Sequence, residues 1–122
     1  MTKAFDIEAF NVAWLAAWTD KDVPRLLNFY AADAVYKDPQ TAAGIEGHAA
    51  LGAYLTQLFA ATPPMRYDPE EVWAIDGGFC GRWYCTIGAN GEGGRLRGFD
   101  LVILRGDQIA HNEVYVHQMP AP

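Results

Sequence analysis

The pair Pro63-Pro64 divides this chain into two halves with different hydrophobic periods. Before it, apolar side chains recur at helical spacing. After it they alternate, and Gly-containing turns interrupt the alternation. A helix-period pattern does not settle as a strand, nor the reverse. Helices followed by a run of hairpin-connected strands therefore predict an α+β domain with an antiparallel sheet.

In the first half, Ile7, Phe10, Trp14 and Ala17 mark one helix, widened by Ala13 and Trp18 and ending near Thr19-Asp20. Asp22 reads as an N-cap, with Pro24 in the first turn of a short second helix. Its apolar face is Val23, Leu26, Leu27 and Tyr30. Ala34 to Lys37 reads as an extended piece stopped by Asp38-Pro39, and residues 41–47 as loop or short strand. A third helix runs from about His48 to Phe59. In the second half, the strands are Met65 to Ile75, Phe79 to Gly88, Arg95 to Arg105 and Gln108 to Gln118. The first of these should bend at Asp68-Pro69, because Pro cannot donate to a ladder.

Strand parity assigns the faces. Phe79, Gly81, Trp83, Cys85 and Ile87 point one way, toward the helices. So do Leu96, Gly98, Asp100, Val102 and Leu104, and Ala110, Asn112, Val114 and Val116. Asp100 and Asn112 are the two strongly polar side chains of this inward face. The outward face gathers Tyr84, Phe99, Leu101, Ile103, Tyr115 and His117, and an apolar surface of that width marks an interface. The expected partner is a second copy, packed sheet to sheet.

Charge and composition remove several function classes. A net charge of −6 leaves no basic footprint for nucleic acid. No apolar run has the length of a membrane span. Cys80 and Cys85, five residues apart on one strand, sit roughly 16 Å apart on opposite faces and cannot pair. They read as reduced, buried residues. With no apolar leader in Met1 to Phe10, the expected location is cytoplasmic. Neither cysteine nor histidine spacing makes a metal motif, and no phosphate loop opens a helix.

The segment FYAADAVYKDPQTAAGIEGHAALGAYL resembles the helix, short strand, DP loop and third helix of the NTF2-like superfamily. More narrowly it is similar to the SnoaL-like branch, with its polyketide cyclases and, more distantly, ketosteroid isomerases. The ending GFDLVILRGDQIAHNEVYV resembles the last hairpin of the same proteins. The resemblance covers nearly the whole chain, residues 1–122, as one domain. It implies a cone: three N-terminal helices packed in a strongly curved, mostly antiparallel sheet, around an apolar pocket. It also implies a cofactor-independent site.

Against the isomerases, Asp38 falls on the general-base aspartate, and Asp100 on the aspartate that donates a hydrogen bond to the developing oxyanion. The oxyanion-hole tyrosine of the first helix has no match, and Trp14 stands there instead; Tyr30, Tyr36 and Tyr54 are the alternative hydroxyls, and Trp14, Trp18, Trp73 and Trp83 read as core and pocket wall. A hydrolase branch expects an Arg and an Asp together on the Asp100 strand and an Asp on the last. Here Arg97 and Asp100 point oppositely, and the last strand offers Asn112.

The residues themselves allow more than one role. A buried carboxylate must be neutral or paired. Asp100 is then a raised-pKa acid, an anion bonded to His48 or Asn112, or a structural acceptor for buried backbone or an indole N–H. Asp before Pro is ordinary turn chemistry, so Asp38 is either a turn residue or a base. His48 reads as a first-turn surface residue, and His111 and His117 as partner contacts. The expected pocket walls are Trp14, Tyr30, Tyr54, Trp83, Asn112 and Val116. Two functions follow: an acid–base isomerase or cyclase acting on a small apolar carbonyl compound, or a non-catalytic binding or dimerisation module of the same fold.

Overall fold

The computed structural model describes residues 5–120. Met1 to Ala4, part of the stretch read above for a leader, lie outside the described residues. Helix α1 spans Ile7–Thr19, capped by Asp6, whose carboxylate accepts from the amide of Ala9. Helix α2 spans Val23–Asn28, capped by Asp22 with Pro24 in its first turn. Strands β1 (Tyr30–Lys37) and β2 (Ile45–Glu46) come next, then α3 (His48–Ala61). Four long strands follow: β3 (Met65–Ile75), β4 (Gly78–Ile87), β5 (Gly94–Arg105) and β6 (Gln108–Gln118).

The six strands form one curved, unclosed sheet in the order β2-β1-β6-β5-β4-β3. Four pairings are antiparallel, and β1 lies parallel to β6. The three helices are therefore not grouped at the N-terminus: β1 and β2 intervene before α3. Tyr30 belongs to β1 rather than to the face of α2, because α2 ends at Asn28 and the chain extends at once to pair Tyr30 with Ile109.

One parity assignment fails. Between Ile103 and Leu104 the β5–β6 register shifts: Ile103 pairs with His111 and Leu104 with Ile109. Ala110 is the extra residue of a bulge. Ile109 and Asn112 consequently both face inward and are fully buried, while Ala110 is only half-buried. A second correction concerns Cys80, which is half-exposed on the outer face, whereas Cys85 is buried.

The core lies between the concave sheet face and the helices. Trp14, Leu15 and Ala17 of α1, Leu26 of α2, and Leu51 and Leu55 of α3 pack on Phe79, Cys85, Val102 and Ile109. Each fully buried leucine contributes about 2 kcal/mol relative to exposure. Lys21, in the left-handed region at φ 53°, turns the corner between α1 and α2. Its ammonium donates to the carbonyls of Phe59 (3.2 Å), Thr62 (2.7 Å) and Pro63 (2.8 Å) and to Thr62 Oγ1 (3.0 Å). Those carbonyls at the end of α3 would otherwise lack intrahelical partners. The α1–α2 corner is thereby tied to the far end of α3.

Candidate functional site

A cavity of about 410 Å³ opens between α1, α3 and the concave sheet face. Helix α1 contributes Trp14 and Trp18, spaced one turn apart so that both indoles face the sheet. Helix α3 contributes Tyr54 and Leu58 at the same spacing. Alternation along the strands brings in Tyr67, Trp83, Asp100, Val114 and Val116. Asp38 and Pro39 follow β1, and the exposed residues Gln40, His117 and Gln118 border the cavity on its solvent side.

Asp100 is 2 % exposed. Its Oδ2 accepts from the indole Nε1 of Trp83 at 2.6 Å, and its Oδ1 from Asn112 Nδ2 at 3.2 Å. Asn112 Oδ1 in turn accepts from the Tyr30 hydroxyl at 2.9 Å. Burial pushes the Asp100 carboxyl up to about 7, and the two N–H donors pull the other way without cancelling it. Burial and the charge of Asp100 hold the Tyr30 hydroxyl far above the ordinary phenol range, so it stays a donor.

Asp38 has the opposite environment. Its Oδ1 accepts from the amides of Gln40 (2.9 Å) and Thr41 (3.0 Å) and from Thr41 Oγ1 (3.0 Å). Its Oδ2 accepts from the hydroxyls of Tyr36 (2.9 Å) and Tyr54 (2.5 Å). A carboxylate offers about four acceptor positions. Five donors saturate Asp38, whereas the two on Asp100 leave acceptor capacity free. Burial raises the Tyr36 and Tyr54 hydroxyls, and the Asp38 charge adds to it, so both phenols keep their protons.

An aromatic belt joins the two acids. Ring centroids run from Tyr54 to Tyr36 (5.9 Å), Tyr36 to Trp18 (6.3 Å), Trp18 to Tyr67 (5.9 Å) and Tyr67 to Trp83 (5.1 Å). Asp38 is bonded at one end and Asp100 at the other. Among the described residues, two buried side-chain polar atoms find no partner: Asn11 Oδ1 and the indole Nε1 of Trp14.

Of the residues singled out in the sequence, Asp38, Asp100, Trp14, Tyr54, Trp83 and Val116 border the cavity. Tyr30 and Asn112 do not. They stand behind Asp100, fully buried, because the bulge and the early start of β1 carry them beneath it. His48 is not bonded to Asp100 either: its Nε2 lies 2.8 Å from the carbonyl oxygen of Tyr30. His117 borders the cavity and accepts from Arg97 Nε at 3.0 Å. His111 lies 2.6 Å from Glu113 on the outer face. Among the cavity's aromatic residues, sequence reasoning missed Tyr67. Tyr36 was signalled by lying two residues before Asp38 on one strand face, and Trp18 by sharing the α1 stripe with Trp14. Tyr67 had no local signal.

Among the described residues, no group of three or more His, Cys, Asp or Glu side chains is placed to hold a metal ion. No helix there is long and apolar enough to cross a membrane.

No curated protein matches the chain in sequence. Solved structures match its fold. One is a SnoaL-like protein of unknown function from Burkholderia thailandensis, with TM-score 0.77 and 17 % identity, covering 96 % of this chain and 98 % of that one. Another is a hypothetical protein with a ketosteroid isomerase-like fold from Catenulispora acidiphila, in complex with trimethylamine, with TM-score 0.74 and 19 % identity over 90 % and 86 % of the two chains. TerC, co-crystallised with polyporic acid, matches with TM-score 0.75 and 16 % identity over 88 % of each chain. Such identities establish a shared NTF2-like architecture, which hosts many chemistries. The sequence pattern of the SnoaL-like domain matches residues 12–112, spanning β1, the Asp38 turn, α3, the Asp100 strand and Asn112, and the chain therefore belongs to the SnoaL-like family.

Proposed function

We propose that this protein is a cofactor-independent acid–base enzyme, an isomerase or cyclase, acting on a small and largely apolar carbonyl compound held in the cone. The observation that carries the reading is the contrast between the two carboxylates on one cavity: Asp38 saturated by five donors, Asp100 with spare acceptor capacity and a carboxyl near 7. A group poised near the working pH transfers protons best.

On this reading Asp100, rather than Asp38, exchanges the proton. Ionised Asp100 takes a proton from the carbon next to the carbonyl, and the C–H electron pair moves into the enolate. The neutral acid then returns the proton at another carbon, completing an isomerisation. Alternatively the enolate carbon attacks a second carbonyl, and the acid protonates the resulting alkoxide to complete ring closure. Asp38 holds Tyr36 and Tyr54 in place.

The test is proton–deuterium exchange at the α-carbon, followed by NMR in heavy water over a panel of enolisable ketones and lactones. Wild type should exchange bound panel members. Asp100→Asn should lose about 100-fold or more, while Asp38→Asn should retain part of the rate. Ligands that bind without exchange in any variant would favour the second reading, a binding module, which the saturation of Asp38 supports.

A further inference from the structure

At the Asp38 end of the cavity, the buried polar groups that meet at the carboxylate present acceptors, while the amide of Gln40 lies exposed on the solvent side. Tyr36 and Tyr54 each have one hydroxyl proton, and both protons lie on Asp38 Oδ2. Only lone pairs remain on the two phenol oxygens. Their protons do not leave, because burial and the neighbouring carboxylate hold both hydroxyls well above the ordinary range. Behind them the belt of Tyr36, Trp18 and Tyr67 presents π-systems whose faces carry partial negative charge.

Positive charge is missing from this surface. Among the described residues, no Lys or Arg borders the cavity. Lys21 lies beyond Thr62, and its ammonium is held by the four acceptors at the end of α3. Arg97 reaches the rim only through His117, to which it donates. A carboxylate or phosphate group entering here would meet no cation and several lone pairs. A neutral carbonyl would find no free donor on Asp38, Tyr36 or Tyr54.

We propose that the Asp38 end of the cavity holds a protonated amine. Its N–H donates to the phenol oxygens, its charge faces the Asp38 carboxylate, and its alkyl substituents lie against the aromatic belt. Carboxylates combined with aromatic faces are the chemistry that recognises ammonium groups. The inference rests on the cavity being the ligand site proposed above, and it names the substrate class: a carbonyl compound with a basic nitrogen, the carbonyl toward Asp100 and the nitrogen toward Asp38.

Three probes of nearly one shape separate the possibilities: N,N-dimethylphenethylamine, cationic at neutral pH; 4-phenyl-2-butanone, neutral; and 3-phenylpropionate, anionic. Binding is read by tryptophan fluorescence and by proton NMR. The amine should bind about ten-fold or more tightly than the ketone, and the propionate weakest. Asp38→Asn should collapse the ratio of amine to ketone affinity. Should that variant unfold, Tyr54→Phe, which keeps the carboxylate, should still lower the ratio several-fold. A ketone that binds as tightly as the amine overturns the inference, while its exchange at the α-carbon would leave the acid–base reading standing. Amine binding with no exchange of any bound ketone does the reverse. If none of the three probes binds, both fall.

Discussion

Trp83 and Gly98 face each other across β4 and β5, and the indole lies flat over the bare Cα of Gly98. A Cβ at position 98 would come within 2.1–2.3 Å of indole carbons of Trp83. With the ring in that place, Nε1 reaches Asp100, the next inward residue along β5. The glycine, the tryptophan and the buried acid are therefore one device.

Gly98→Ala should displace the indole and break its bond to Asp100. Overpacking and a lost bond to a buried carboxyl together cost about 3 kcal/mol. Denaturant unfolding measures the loss, and tryptophan emission should shift as Trp83 moves. Unchanged stability and emission would contradict the packing described.

Asp100 links stability to pH. Its carboxyl is raised from 3.8 unfolded to about 7 folded. The native state thus binds the proton more tightly, and its contribution is complete below about 3.8 and lost as pH rises through about 7. The full span is worth about 4 kcal/mol. Melting temperature followed from pH 4 to 8 should show wild type declining relative to Asp100→Asn across this window. Parallel curves would place the Asp100 titration elsewhere.

Tyr30→Phe tests the relay behind the acid. Removing the hydroxyl leaves the buried Asn112 Oδ1 without its donor. A loss of roughly 1–3 kcal/mol is expected, seen as a lower denaturation midpoint with an unchanged m-value.

Lys21→Met removes four hydrogen bonds from the end of α3 while keeping most of the side-chain volume. Roughly 2 kcal/mol should be lost. Hydrogen exchange should rise in the last turn of α3 more than in β4 or β5.

The outer sheet face leaves Phe99 40 % and Tyr115 59 % exposed, with Trp73 against Phe99 at 5.9 Å. Arginines and glutamates surround them, including the Arg82–Glu70 pair. We propose a second copy as its occupant, because a twofold axis would set those opposite charges against each other. Light scattering on a sizing column should give a dimer at micromolar concentration, and Phe99→Arg should give a monomer. A wild-type monomer overturns the proposal.

Much of this was legible in the chain. Asp22 with Pro24, the paired prolines and the Gly turns act through local backbone chemistry, so element types and most boundaries could be read residue by residue. The inward direction of Asp100 followed from a period of two. Ala110 and Tyr30 were misplaced because bulges and an early strand start are choices of pairing, not of local propensity.

The sequence by itself determined the fold class and, for β4 and β5, which side meets the helices, since both depend on spacing within a segment. Only the tertiary structure decided what the two aspartates are. Asp38 collects donors from its own turn, from β1 and from α3, while Asp100 is buried among apolar walls with two N–H donors from β4 and β6. Charge state depends on solvation and on partners distant in the chain, and those exist only after the cone has closed around them.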